Sequence, residues 1–165
     1  MTTKGENNLS NIGNIPPNLF KPKKFVGPQI IRSSLDKKYV FDIPSSSKDE
    51  GIELQIFSYH GEINQQFLIE NVGFSEYVIR ALVSNKVLEV KGKELGEKNV
   101  IQVFQTNEES QLWSLEETDD GGFYIRSILG YYLDINNKNT SDQEKIIISR
   151  FHGGPSQKFF IENSY

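Results

Sequence analysis

Three segments with the same pattern recur at equal spacing in this chain: residues 64–67 (NQQF), 110–113 (SQLW) and 156–159 (SQKF). Each has a glutamine two positions before an aromatic residue, and successive segments lie 46 residues apart. A fixed period of this length indicates an internal structural repeat. The repeat limits the possible folds before any single strand or helix is assigned. From about residue 29 onward, the chain therefore divides into three units of about 45 residues.

Other features recur with nearly the same period. Each unit opens with an Ile-Arg pair, at positions 31–32, 79–80 and 125–126. A short apolar strand with one acid follows in each unit, at 40–43 (VFDI), 87–90 (VLEV) and 132–135 (YLDI). A second β-rich stretch then precedes the glutamine, at 52–57, 100–104 and 146–151.

The segments are short, rich in β-branched and aromatic residues, and separated by Gly, Asn, Asp and Ser, which predicts an all-β domain of about twelve strands. Three four-stranded units around a pseudo-threefold axis form a β-trefoil, whose closed barrel removes exposed strand edges. A three-bladed propeller is the competing geometry.

Composition excludes several classes of protein. The 165 residues (18.9 kDa) suit one domain with its own core. With no cysteine, the chain lacks disulfides, thiolate metal sites and a cysteine nucleophile. The sequence contains no signal-like segment and no apolar run long enough to cross a bilayer. We therefore expect a cytoplasmic protein without membrane insertion, and secretion without a leader peptide is the alternative.

Charge separates the first 28 residues from the rest of the chain. Residues 1–28 contain four lysines and one glutamate, whereas the remainder has 14 basic and 21 acidic residues. An acidic body without a basic stripe disfavours nucleic-acid binding. Prolines and asparagines in residues 1–28 predict a flexible arm, either an inert extension or a segment that docks on a partner or on the domain itself. Residues 29–165 form the predicted domain.

The three Gln-x-aromatic motifs resemble the Gln-x-Trp signature of the ricin-type (R-type) β-trefoil lectins, over about residues 30 to 162. The sequence segments at 123–135 and 151–154 are most similar to cysteine-free fungal and protist members of this family. Those proteins bind galactose or N-acetylgalactosamine (GalNAc) glycans. The resemblance therefore implies a non-enzymatic, carbohydrate-binding protein whose partners are glycans on glycoproteins or glycolipids.

A galactose-like ring needs a carboxylate and an amide for its hydroxyls and an aromatic ring for its C–H face. In the family these come from the acid of the first strand, an aromatic on the second hairpin and an Asn before the glutamine. The first unit offers all of them, as Asp42, Gln55, Phe57, Tyr59, His60, Asn64 and Gln65. The third unit offers Asp134, Phe151, His152, Ser156 and Gln157.

The three units are not expected to bind sugar equally. Ser156 replaces the expected asparagine in the third unit, so we expect a weaker or altered site there. In the second unit Glu89 replaces the aspartate, Ser110 the asparagine, and Gln105 and Thr106 the aromatic-histidine pair. These changes displace two contacts, so the second unit is predicted to be silent. Avidity would then need both remaining sites or a homodimer.

Some recurring residues have a structural interpretation. Phe67, Trp113 and Phe159 are predicted to lie in the core, and Gln65, Gln111 and Gln157 to organise hairpins, ligand contact by Gln65 being the minority interpretation. His60 and His152 lie in different units without metal-ligand spacing, so we expect no metal, no cofactor and no catalysis. A β-trefoil protease inhibitor, acting through residues 45–51 or 93–99, and a protein-interaction module that docks through the arm remain the alternatives.

Overall fold

The computed structural model describes residues 22–165, and in this range the chain forms thirteen β-strands joined by turns, with short 3₁₀ segments and no α-helix. The strands are β1 (Gln29–Ser33), β2 (Tyr39–Asp42), β3 (Ile52–Glu53), β4 (Gln55–Ser58), β5 (Phe67–Gly73), β6 (Glu76–Ala81), β7 (Val87–Val90), β8 (Lys98–Val103), β9 (Trp113–Glu117), β10 (Phe123–Ser127), β11 (Tyr132–Ile135), β12 (Ile146–Ser149) and β13 (Lys158–Asn163). No helix in residues 22–165 has the length and apolarity needed to cross a membrane.

Six strands close into a barrel. Strand β1 pairs with β5, β5 with β6, β6 with β9, β9 with β10, β10 with β13, and β13 with β1, all antiparallel. Each repeat contributes its first and last strand to this ring. The closed ring and the three repeats confirm the predicted β-trefoil and exclude the three-bladed propeller.

Six of the seven remaining strands form three hairpins that cap one end of the barrel. They are β2–β4, β7–β8 and β11–β12. The hairpins also pair with one another, because β8 pairs with both β3 and β12, and Gln55 forms a bridge with Lys145. The strand count exceeds twelve because Leu54 separates β3, which pairs with β8, from β4, which pairs with β2.

The aromatic residues of the three motifs lie in the core, as predicted. Phe67, Trp113 and Phe159 are completely buried. Phe41 packs edge-to-face against Phe67 and Phe159, with ring centroids 6.2 and 5.0 Å apart. The indole Nε1–H of Trp113 donates to the Leu88 carbonyl at 3.2 Å, which satisfies its only polar group.

Residues 22–28 run against the open end of the barrel. The Phe25 ring packs edge-to-face on Tyr77 and Phe123, at centroid distances of 6.3 and 6.0 Å. The Tyr77 hydroxyl donates to the Lys23 carbonyl at 2.7 Å. This part of the predicted arm therefore docks on the domain itself. Residues 1–21 of that arm lie outside the described residues.

The Phe25 contacts predict a contribution of residues 22–28 to stability. We expect Phe25→Ala to lower the free energy of unfolding by about 1–2 kcal/mol, less than a fully buried phenylalanine would cost because this ring is only partly buried. Chemical denaturation measures the change. Phe74→Ala, at a ring that is 88% exposed, is the matched control and should change the free energy by less than about 0.5 kcal/mol. Equal effects of the two substitutions would contradict the docked role of Phe25.

Candidate functional site

In every repeat, a buried glutamine joins the acid of the repeat's second strand to the turn before its last strand. The Gln65 side-chain oxygen accepts from the backbone N–H groups of His60 and Gly61, at 2.9 and 3.2 Å. Its Nε2 donates to Asp42 at 2.9 Å and to the Ser58 carbonyl at 3.0 Å.

The same four bonds recur at the other two glutamines. Gln111 contacts Thr106, Asn107, Glu89 and Phe104, and Gln157 contacts His152, Gly153, Asp134 and Arg150. All three glutamines are completely buried. They therefore organise the hairpins, as predicted, and Gln65 has both N–H groups occupied within the protein.

Asp42 is the most heavily hydrogen-bonded acid of the first repeat. Its Oδ1 accepts from Gln55 Nε2 at 2.9 Å, and its Oδ2 accepts from Asn64 Nδ2 at 3.2 Å and from Gln65 Nε2 at 2.9 Å. His60 Nε2 lies 3.6 Å from Oδ2. Burial raises the pKa of the Asp42 carboxyl above its ordinary value, and the amide donors and His60 oppose that shift.

Asp42 lies at the floor of a surface groove of about 660 Å³. Five of the predicted site residues line it: Asp42, Gln55, Phe57, His60 and Asn64. Gln65 lies beneath the groove and Tyr59 lies outside it, because β4 ends at Ser58 and the Tyr59 ring stacks under the Arg32 guanidinium, 4.9 Å away. We call this cavity the first groove.

The first groove also contains residues that sequence reasoning missed. Gln143 and Lys145 line it, although both belong to the third repeat. They reach it because residues 143–146 hydrogen-bond with the backbone of β4 and Leu54. No sequence signal points to this contact, since the pairing joins residues that are almost 90 positions apart.

The third repeat builds a similar but less complete arrangement. Asp134 Oδ2 accepts from Ser149 Oγ at 2.5 Å and lies 3.0 Å from His152 Nε2. Asp134 Oδ1 and Ser156 Oγ are buried without a hydrogen-bond partner in residues 22–165. Asn64 reaches the acid in the first repeat, whereas the shorter Ser156 makes no such bond.

Asp134 lines a groove of about 470 Å³, here called the third groove. Phe151 and His152 line it together with Tyr131 and with Gly96 and Glu97 of the second repeat. Ser156 and Gln157 are buried behind it. The Phe151 ring is 53% exposed and packs against Tyr124 and Tyr132 at 5.0 and 4.8 Å. The third groove thus brings together three of the five residues predicted for it.

The second repeat has a different surface. Glu89 accepts from Ser110 Oγ at 3.1 Å and from Gln111 Nε2 at 3.2 Å. Lys93 and Glu108 form an ion pair of 2.8 Å. Their positions correspond to Ser46 and Glu62, so this ion pair takes the place of two residues that line the first groove. The arrangement is consistent with the predicted silence of this repeat.

Metal ligands do not cluster in the described part of the chain. No group of three or more His, Cys, Asp or Glu side chains there is arranged to hold an ion. His60 and His152 each accept a backbone N–H at Nδ1, from Glu62 at 3.2 Å and Gly154 at 2.9 Å. A neutral ring in this tautomer directs its Nε2–H to the acid of its own repeat.

Comparison with known proteins supports the fold and the family resemblance. A family model described as "Ricin-type beta-trefoil lectin domain-like" matches residues 29–104. No curated protein sequence matches the chain. The resemblance to ricin-type β-trefoil lectins, first seen in the three motifs, is thereby confirmed.

Three solved structures illustrate the similarity. The designed threefold-symmetric protein ThreeFoil is 27% identical, with a TM-score of 0.80 over 83% of this chain and 99% of its own. An exo-β-1,3-galactanase from Clostridium thermocellum is 22% identical with a TM-score of 0.80, over 84% of this chain but only 30% of its own. The C-half of the earthworm R-type lectin, solved in complex with GalNAc, is 23% identical with a TM-score of 0.67, over 82% of this chain and 98% of its own.

The glutamine contacts generate a prediction about stability. Gln111→Ala removes one of the two donors to the buried Glu89 carboxylate and leaves two backbone N–H groups and one carbonyl without their partner. We therefore expect a loss of about 2–4 kcal/mol in the free energy of unfolding. Thermal and chemical denaturation measure it. Gln105→Ala, at an exposed glutamine, should cost less than about 1 kcal/mol, and similar losses for both variants would contradict the organising role.

Proposed function

We propose that this chain binds galactose- or GalNAc-type glycans, through the first groove around Asp42 and, more weakly, through the third groove around Asp134. Its partners would be glycans carried by glycoproteins or glycolipids, bound without a metal ion and without a chemical step. The observation that carries the proposal is the composition of the first groove, where one buried carboxylate, three amides, a histidine and an aromatic ring meet at an open surface.

The hydrogen-bonding capacity left in the first groove suits a sugar with neighbouring hydroxyls. A carboxylate can accept about four hydrogen bonds, of which Asp42 uses three within the protein. Gln55 uses one of its two amide hydrogens on Asp42, so the second hydrogen and the side-chain oxygen remain for a ligand. A hydroxyl can then donate to Asp42 while its oxygen accepts from Gln55.

The rigidity of the carboxylate supports binding of a small polar ligand. Three amide donors hold Asp42 in one orientation, so little side-chain freedom is lost when a sugar binds. Phe57 lines the same groove and packs against His60 at a centroid distance of 6.0 Å. Its ring provides an apolar surface for the C–H groups of a pyranose.

The third groove supports the same function with fewer contacts. Asp134, Phe151 and His152 line it, so a carboxylate, an aromatic ring and an imidazole again meet at one open surface. The asparagine amide of the first repeat is missing there. We therefore assign the third groove the weaker affinity, and expect dissociation constants of about 1 μM to 1 mM for single sites of this open, polar kind.

The proposal predicts that galactoside affinity depends on the buried carboxylate of Asp42 and not on its counterpart in the second repeat, Glu89. Asp42→Asn removes a charged acceptor from the first groove, so we expect at least a roughly tenfold loss of galactoside affinity in calorimetric titration, since a hydrogen bond to a charged group contributes about 1.5–3 kcal/mol. Glu89→Gln makes the same change at the equivalent position of the second repeat and should leave affinity within about twofold of the parent. Binding should also survive a chelator.

Two results would contradict this proposal. One is equal galactoside binding by the Asp42→Asn variant and the parent chain. The other is the absence of binding to any glycan on an array when circular dichroism shows a folded protein. In that case, protease inhibition through residues 45–51 or 93–99 and protein binding by the N-terminal arm are the functions to assay.

The third groove yields a gain-of-function prediction. In an Asp42→Asn background only the third groove contributes, and Ser156→Asn restores the amide found in the first repeat. The added amide would orient Asp134 as Asn64 orients Asp42, and a gain of about 1 kcal/mol from this preorganisation would raise galactoside affinity about fivefold. Titration of the double variant against Asp42→Asn alone measures the gain, and an unchanged affinity would show that Ser156 does not limit this groove.

A further inference from the structure

Each repeat places its acid at the start of the same row of three cross-strand neighbours. In the first repeat Asp42 pairs with Gln55, and Gln55 pairs with Lys145 of the third repeat. Residues directly opposite one another on antiparallel strands project their side chains to the same face. Lys145 therefore rises beside Gln55, whose amide already contacts Asp42, and it lines the first groove.

Lys145 brings a positive charge to this position without a partner of its own. Its side chain is half-buried, and within residues 22–165 it forms no ion pair and no side-chain hydrogen bond. The carboxylate of the adjacent Glu144 instead accepts from Asn136 and Asn139. Lys145 therefore offers the first groove a positive charge that could pair with an anionic group.

The third member of the row differs in charge between the repeats. Glu53 takes the place of Lys145 in the second repeat, in a row with Ile101 and Glu89. Asn99 takes it in the third repeat, in a row with Ile147 and Asp134. The third residue of the row is thus a cation in the first repeat, an anion in the second and a neutral amide in the third, at equivalent backbone positions. Only the first groove offers a cation there.

The first groove is also electrically polarised. Gln55, the cross-strand neighbour of Lys145, donates to Oδ1 of Asp42, whereas Asn64 donates to Oδ2. Glu62, an exposed acid two residues before Asn64, also lines the groove. Three amides and His60 surround the Asp42 charge itself. An anionic group would therefore be accepted near Lys145 and repelled near Glu62.

We propose that Lys145 makes the first groove selective for galactose-type glycans that carry an anionic substituent, a sulfate ester or the carboxylate of an acidic sugar. This inference rests on the glycan-binding function proposed above. Asp42 and Gln55 hold the neutral ring, and the ammonium of Lys145 pairs with the negative group. The selectivity comes from a repeat other than the one that supplies the carboxylate.

The test compares neutral, sulfated and sialylated galactosides by calorimetric titration of the full chain, in an Asp134→Asn background that removes the third groove. We expect the anionic ligands to bind about fivefold more tightly than the neutral one at low salt, with the ratio falling at high salt. Lys145→Gln should bring the ratio of anionic to neutral affinity to about one. The sulfated and sialylated arms show which anionic group the groove prefers.

Two further variants sharpen the comparison. Lys91→Gln removes a positive charge from an exposed lysine outside the groove and should leave the affinity ratio as in the parent. Glu62→Gln removes the opposing negative charge and should increase the ratio. Lys91→Gln and Lys145→Gln each remove one positive charge. A general effect of net charge on the affinity ratio would therefore appear equally in both.

Three outcomes would overturn the inference while leaving sugar binding intact. They are equal affinity of the parent groove for neutral and anionic galactosides, a preference that persists in Lys145→Gln, and an equal loss of both affinities in that variant. If the parent chain, without the Asp134 change, is folded but binds neither kind of galactoside, the glycan-binding function itself fails, and the inference fails with it.

Discussion

The bond between a buried carboxylate and a buried glutamine is the constraint on which each repeat depends. The glutamine oxygen accepts from two backbone N–H groups of the turn, and its amide hydrogens bind the acid and a strand carbonyl. Because the aromatic residue follows two positions later, the same short segment that holds the acid also sends a ring into the core. Stability of the barrel and placement of the groove carboxylate are therefore coupled through one side chain.

This coupling explains why the three surfaces can differ without a change in the fold. The glutamine contacts and the buried aromatic residues are kept in all repeats, whereas the groups around the acid vary freely. Asn64 supports Asp42, while Ser156 leaves Asp134 with an unpaired oxygen. In the second repeat an ion pair replaces two residues that line the groove in the first. Specificity in this architecture is a matter of side chains at fixed backbone positions.

Contacts between repeats add a second level of control. The hairpins pair with one another around the pseudo-threefold axis, so each groove is walled by residues of another repeat. The opposite end of the barrel breaks the symmetry, because Phe25 covers Tyr77 and Phe123 there. The proposed sugar sites and the docked segment thus lie at the two ends of one barrel and can be altered separately.

The amino-acid sequence by itself determined the repeat, the all-β class, the trefoil, the core aromatic residues and the acids of the candidate sites. It could do so because a 46-residue period and a Gln-x-aromatic motif are local patterns that survive in one dimension. Only the tertiary structure decided that Gln143 and Lys145 line the groove of Asp42, that Tyr59 stacks on Arg32 outside the groove, and that Asp134 has an oxygen without a partner. Those facts depend on strand register and on pairing between distant repeats, which place side chains together with no trace in their spacing along the chain.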